Sequence, residues 1–187
     1  ESEEANEKKG CFTAYMNSKL CPQLMNTFDG YKENNIMILS LMRLADVYLM
    51  YAEALNEKGE DYATVLPWID MVRERSGLQG VKESWDQYVG NSKYATQTGL
   101  RQIIMQERRI ELAFEGHYFW DVRRWKTATT ELTQPLTGWK VRYGETDVDY
   151  YSENLVLVRD FTPKMYFWPI DIGELRKDPN LVQNYGW

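Results

Sequence analysis

The sequence is poor in the residues that carry most catalytic and metal chemistry. Among 187 residues there is one histidine, His117, and two cysteines, Cys11 and Cys21. No Cys-x-x-Cys, HExxH or ExxH occurs, so zinc, haem and helical di-iron sites lack ligands. GxSxG, GxxxxGKS/T and GxGxxG are missing too. That removes the nucleophile elbow, the phosphate-binding loop and the dinucleotide fingerprint. Neither a metal nor a cofactor is expected. No apolar run reaches the roughly 18 residues of a transmembrane helix. Basic residues are outnumbered, 22 Lys and Arg against 28 Asp and Glu, for a net charge of −6. Nucleic-acid binding, which needs a basic stripe, is not expected.

Aromatic residues are abundant: 7 Trp, 13 Tyr and 6 Phe. Trp and Tyr combine a large apolar body with a polar tip, which suits cores, interfaces and ligand platforms alike. The length allows one ordinary domain or a large piece of something bigger. Residues 1–10, ESEEANEKKG, are charged and lack the apolar stretch of a signal peptide; a loosely ordered arm is expected there. Lys8-Lys9-Gly10 before Cys11 is not the small, apolar set that precedes a lipid-modified cysteine. Cys11 and Cys21 fit either two free thiols or a short-loop disulfide.

Helical periodicity dominates the middle of the chain. A first helix is predicted over 41–58. Leu41, Leu44, Ala45, Tyr48, Ala52 and Leu55 form one stripe, and Val47, Met50, Tyr51 and Ala54 a second. A helix apolar on so much of its circumference belongs between others. Arg43, Asp46 and Glu53 interrupt it and need partners, and Gly59 is a helix stop. A second helix is predicted over 64–76, with Thr64 as cap, Pro67 in the first turn and Gly77 as stop. Its apolar face is Val65, Ile69 and Val72. The two form a helical hairpin of about 36 residues, near the ~34 of a tetratricopeptide unit. Residues 78–97 read as a loop with a short helix. A third helix over 99–115, capped by Thr98, carries Leu100, Ile103, Ile104, Ile110 and Phe114. A fourth, over 117–126, carries Phe119, Val122 and Trp125. Beyond it the periodicity stops. Leu155–Val158 is a candidate strand, Asp171–Leu175 a helical turn, and the end an extended segment packed across the helices. The fold class is mainly α: helical hairpins with long irregular loops.

Glu107, Glu111 and Glu115 recur every four residues and share a helix face. Such carboxylates can serve acid–base work, but Arg108, Arg109, Arg123 and Arg124 follow closely, and Arg43, Arg73 and Arg75 lie on the hairpin. An Arg–Glu network joining helices is the expectation. Tyr48, Tyr51, Phe114, Phe119 and Trp125 are expected in the core. Trp139, Tyr143, Tyr150 and Tyr151 fall in the irregular segment, beside Asp and Asn. Exposed, they offer sugars a flat face and hydroxyl partners; otherwise they fold the loop onto the helices. Trp85 and Tyr88 are weaker candidates.

Three segments then resemble one family: RLADVYLMYAEA from Arg43, ERRIELAFEGHYFWDVRRW from Glu107, and Trp168-Pro169-Ile170 followed by DPNLVQN from Asp178. Together they are similar to the C-terminal part of the SusD/RagB nutrient-binding lipoproteins of Bacteroidetes. Tyr185 stands where the family usually has Pro. The resemblance covers about residues 10–187 and implies a C-terminal helical domain, with an N-terminal part of the same protein beyond it. It also implies an outer-membrane, surface-exposed protein anchored through a lipid on an upstream cysteine. It implies non-catalytic capture of oligosaccharide, or of peptide in some branches, for a TonB-dependent (SusC-like) β-barrel transporter. The Glu–Arg motif transfers as architecture, and Trp125 as a core filler. Two other classes compete: a helical-repeat adaptor for proteins, and a glycosidase using Glu111 and Glu115, disfavoured by the arginines nearby.

Overall fold

The computed structural model describes Lys19, residues 40–139 and residues 146–187. The expected arm over 1–10, both cysteines and Tyr143 lie outside the described residues. Two compact units divide the chain, residues 32–120 and residues 1–31 with 121–187.

In the first unit, α1 spans Leu44–Lys58 and α2 spans Tyr62–Arg75. They form the expected hairpin through Gly59, whose φ of 86° is left-handed. A short α3 (Val81–Ser84) and one π-helical turn (Trp85–Val89) follow. A 3₁₀ turn, Lys93–Ala95, then leads into α4, Gln97–Glu111. The core draws Ala45, Leu49 and Ala52 from α1 and Val65, Leu66, Ile69 and Val72 from α2. Val81, Tyr94, Leu100, Ile103 and Ile104 complete it.

Several boundaries differ from the sequence reading. Helix α1 starts three residues later than predicted, because Arg43 is extended (φ −139°) and its side chain is drawn to Glu111 and Glu115. The buried stripe of α1 centres on Leu49, not on Leu41 and Leu44, which are exposed. The cap of α2 is Asp61, whose carboxylate accepts from the Ala63 N–H at 2.8 Å. Pro67 therefore lies inside the helix, and the Ala63 carbonyl, on the solvent side, lacks its usual donor. Asp61→Ala is expected to cost ~1 kcal/mol in urea unfolding, whereas Thr64→Ala leaves that cap intact.

Helix α4 is capped by Thr96, not Thr98, with the hydroxyl accepting from the Gly99 N–H at 3.1 Å. A Cβ on Gly99 would stand 2.1 Å from the Lys93 carbonyl oxygen, so only glycine fits this close approach. The helix ends at Glu111. Phe114 (φ +64°) and Gly116 (φ +84°) turn the chain. The buried stripe runs Leu100, Ile103, Ile104 and Arg108. Ile110 and Phe114 consequently point outward, 62% and 66% exposed, and Leu112 takes the buried place. Tyr51 and Phe119, also expected in the core, are exposed. Tyr48 is half-buried, as is Trp125, with the Arg124 guanidinium 4.8 Å from its ring.

The division between units falls inside α5, His117–Arg124, after Trp120. In the second unit, α6 (Ala128–Glu131) precedes β1 (Leu136–Trp139). One helical turn, α7 (Asp147–Tyr150), leads to β2 (Glu153–Leu157). The strands pair antiparallel, with a bulge between Leu136 and Thr137. Strand β2 overlaps the candidate strand; β1 carried no sequence signal. A 3₁₀ turn (Pro163–Tyr166) and α8 (Ile172–Lys177) follow. The end folds back through side chains. Gln183 accepts from the Ile170 N–H (2.8 Å) and donates to its carbonyl (2.9 Å). Trp187 Nε1 donates to the Lys164 and Phe167 carbonyls. Arg123 donates to the Met165 carbonyl at 2.6 Å, with its guanidinium over Phe161 and Trp168.

Candidate functional site

The β1–β2 hairpin brings two of the four candidate ligand aromatics together. Trp139 ends β1, and Tyr151 follows α7. Their ring centroids are 6.0 Å apart and nearly perpendicular. Thr146 caps α7, its hydroxyl accepting from the Asp149 N–H at 3.2 Å. Trp139 is half-buried, and Tyr151 is 63% exposed. Tyr150 closes α7. Glu153 pairs with Trp139 and Asn154 with Gly138 in the ladder. Asp147, Asp149, Glu153 and Asn154 are exposed. A half-supported ring with an exposed neighbour, and with the Glu153 carboxylate on the same face of the ladder as Trp139, suits a ligand with an apolar face and a hydroxyl rim.

The Arg–Glu residues form a different constellation, within the first unit. Arg43 donates through Nε to Glu115 (2.7 Å) and through Nη1 to Glu111 (2.5 Å), and also to the Glu111 carbonyl. Arg75 reaches Glu111 as well, at 2.7 Å. Arg73 pairs with Glu107 and donates to the Gln79 carbonyl. Arg108 pairs with Asp46 at 2.9 Å, both side chains almost fully buried. Arg109 lies over the Tyr118 ring at 5.0 Å. In the other unit Arg124 pairs with Asp121, and Arg123 serves backbone carbonyls. One guanidinium thus holds Glu111 and Glu115 together. A carboxyl kept protonated for acid catalysis calls for the opposite surroundings.

Sequence reasoning missed a lock between α1 and α4. Asn56 Nδ2 donates to the Gln97 carbonyl, and Gln97 Nε2 donates to the Asn56 carbonyl at 2.7 Å. Its only signal was an amide at a buried position of α1. Beside it Arg101 binds Glu57 bidentately at 2.5 and 2.6 Å. The hydrogen bond from Arg101 holds the Glu57 carboxyl below its ordinary 4.5. A depressed folded pKa contributes stability above the unfolded value and loses it as pH falls through the folded one. The stability gap between wild type and Glu57→Gln should therefore be full above about pH 4.5 and close on further acidification. Urea midpoints taken across that range check it. The gap is small, because both side chains are more than a third exposed.

An open groove of 630 Å³ is lined by Asp70, Gly80, Lys82, Glu83, Asp86 and Gln87. Burial pushes the Asp70 carboxyl up, against its bond from the Val81 N–H. Lys82 and the Tyr94 hydroxyl hold Asp86 down. Of the weaker aromatic candidates, Trp85 has the Lys93 ammonium 5.5 Å from its ring, and Tyr88 is exposed.

The architecture is that of a helical-hairpin protein with an aromatic β-hairpin. The SusD family model matches residues 2–187, and the chain belongs to that SusD/RagB family. SusD-like protein P25 of Formosa agariphila is 40% identical over 155 residues, 83% of this chain and 24% of that protein. SusD-like protein P38 of the same organism is 28% identical over 160 residues, 86% of this chain and 26% of that protein. The crystal structure of a SusD-like protein from Bacteroides fragilis superposes with a TM-score of 0.65 at 30% identity. It covers 80% of this chain and 26% of that one. The chain thus spans about a quarter of the length of these relatives. Proteins of this family are binding proteins rather than enzymes. They serve glycan uptake and are generally outer-membrane lipoproteins.

Proposed function

We propose that this chain is part of a non-catalytic cell-surface receptor that binds oligosaccharide and delivers it to a TonB-dependent, SusC-like transporter. Family membership supports the sugar class, and the observation that carries the site is the exposed Tyr151 ring set edge-on to Trp139, with exposed Glu153 paired across the ladder from Trp139. The C–H face of a pyranose packs against such a ring, and a carboxylate beside it takes hydroxyls. Family membership supports a transporter partner.

Retardation of the complete native protein in gels containing a polysaccharide tests the site. Tyr151→Ala is expected to weaken retention about tenfold, near 1.4 kcal/mol, the upper end for one aromatic contact. The urea midpoint should fall only slightly, by the ~0.5–1.5 kcal/mol of the lost ring pair with Trp139. Unchanged retention in both Tyr151→Ala and Trp139→Ala would remove the hairpin from the site. A mild-detergent pull-down from source membranes tests the partner. A stoichiometric large β-barrel supports the uptake complex, and its absence counts against it.

A further inference from the structure

The last turn of the chain carries a side chain that its backbone does not call for. The Trp187 N–H donates to the Asn184 carbonyl at 3.2 Å, which makes residues 184–187 a β-turn. Gly186 has φ +84°, and Tyr185 has a negative φ. Those signs define a type II turn, whose second position favours proline and whose third favours glycine. The turn is pinned on both sides of Tyr185. Asn184 Nδ2 donates to the Trp168 carbonyl at 2.7 Å, and Trp187 Nε1 to the Phe167 carbonyl at 3.0 Å. A Cβ on Gly186 would stand 2.9 Å from the Lys164 Cβ. The Tyr185 side chain takes no part in this. It is 87% exposed. Among the described residues, neither its N–H nor its hydroxyl makes a hydrogen bond, and its ring meets no other. Proline there would fix φ without losing a bond and would stabilise the turn through the unfolded chain. Tyrosine lacks that gain and adds no contact to the fold.

The surroundings suit a ligand. Trp168 and Trp187 are exposed and are tied to the turn by the bonds just named. The Lys164 ammonium lies 4.4 Å from the Trp187 ring centre, and the Arg123 guanidinium 5.5 Å from that of Trp168. Asn184 spends its amide N–H on Trp168, which leaves its carboxamide oxygen as an acceptor. Rings beside one acceptor and one ammonium donor offer an apolar face and hydroxyl partners together. A protein surface laid over the same patch would have to find a partner for each of those polar groups. We infer that Tyr185, with Trp168 and Trp187 on the same clasp, is a further stacking platform for oligosaccharide, in addition to the Trp139–Tyr151 pair. The inference rests on the sugar reading and assigns it a second set of rings.

Retardation of the complete native protein in gels containing an α-glucan, a β-glucan, a xylan or a mannan tests it. Tyr185→Pro, Tyr185→Ala and Tyr185→Phe are read beside Tyr151→Ala. Loss of the ring should weaken retention about three- to tenfold in Tyr185→Pro and Tyr185→Ala, and Tyr185→Phe should keep it. The urea midpoint should rise in Tyr185→Pro and hold in the other two. Unchanged retention in Tyr185→Pro and Tyr185→Ala, with Tyr151→Ala weakened, overturns this platform and leaves the sugar reading standing. A wild-type protein that none of the gels retards removes both. Midpoints that fall in both Tyr185→Pro and Tyr185→Ala would show that the ring packs on another part of the polypeptide, which also overturns it. So would a β-barrel partner lost from the mild-detergent pull-down of Tyr185→Ala while sugar retention stays intact, which would mark a protein contact.

Discussion

Arg108→Ala is expected to lower the unfolding free energy by about 3–5 kcal/mol, the usual cost of truncating one member of a buried ion pair. Asp46 and Arg108 lie 62 positions apart in sequence, on α1 and α4, and both are buried. Removing the guanidinium leaves the Asp46 carboxylate in the core without this cation. The loss comes from that stranded charge more than from the bond itself. The double variant Asp46→Leu, Arg108→Met should therefore be more stable than Arg108→Ala alone, although it lacks the pair altogether. Urea unfolding of the three proteins measures this. A double variant no better than the single would mean that the guanidinium acts through its other contacts.

Ile69→Ala should cost ~2–5 kcal/mol, through the lost burial of the removed carbons and the cavity left behind. Ile69 is fully buried on α2, within the cluster shared by α1, α2 and α4. Ile69→Val should cost only ~0.5–1.5 kcal/mol, because less volume is removed. The midpoint of urea unfolding should fall in both, with the denaturant slope unchanged. A change in slope would show that the variant alters the denatured state or that the transition is not two-state. Ile69 and Arg108 belong to one packed body, so their effects need not add.

The helices were legible because periodicity reports burial, and Val65, Ile69, Val72, Leu100, Ile103 and Ile104 are all buried. The helix ends were less so. Thr98 and Thr64 look like caps, yet Thr96 and Asp61 perform the task. Candidate cap residues cluster there, and only the position where the chain turns selects one. Ile110 and Phe114 continue a helical spacing, but the helix unwinds after Glu111 and the buried stripe drifts to Arg108. The chemistry of Arg43, Glu111 and Glu115 was readable from residue type and spacing; their pairing across 68 and 72 positions was not. The hairpin aromatics were the least legible. Alternation in β1 is only four residues long, and its bulge breaks the register. Nothing local links Trp139 to Tyr151. The sugar class came from family resemblance, since aromatic rings beside carboxylates suit protein interfaces too.

The central claim is that the protein holds oligosaccharide without cleaving it. The most direct measurement incubates the complete native protein with a mixed pool of oligosaccharides, separates bound from free, and reads chain lengths in both fractions by mass spectrometry. The account predicts that one structural class is retained at its original length and that Tyr151→Ala releases it. Chains shortened during incubation, or a bound fraction that holds no sugar from any class, would contradict it.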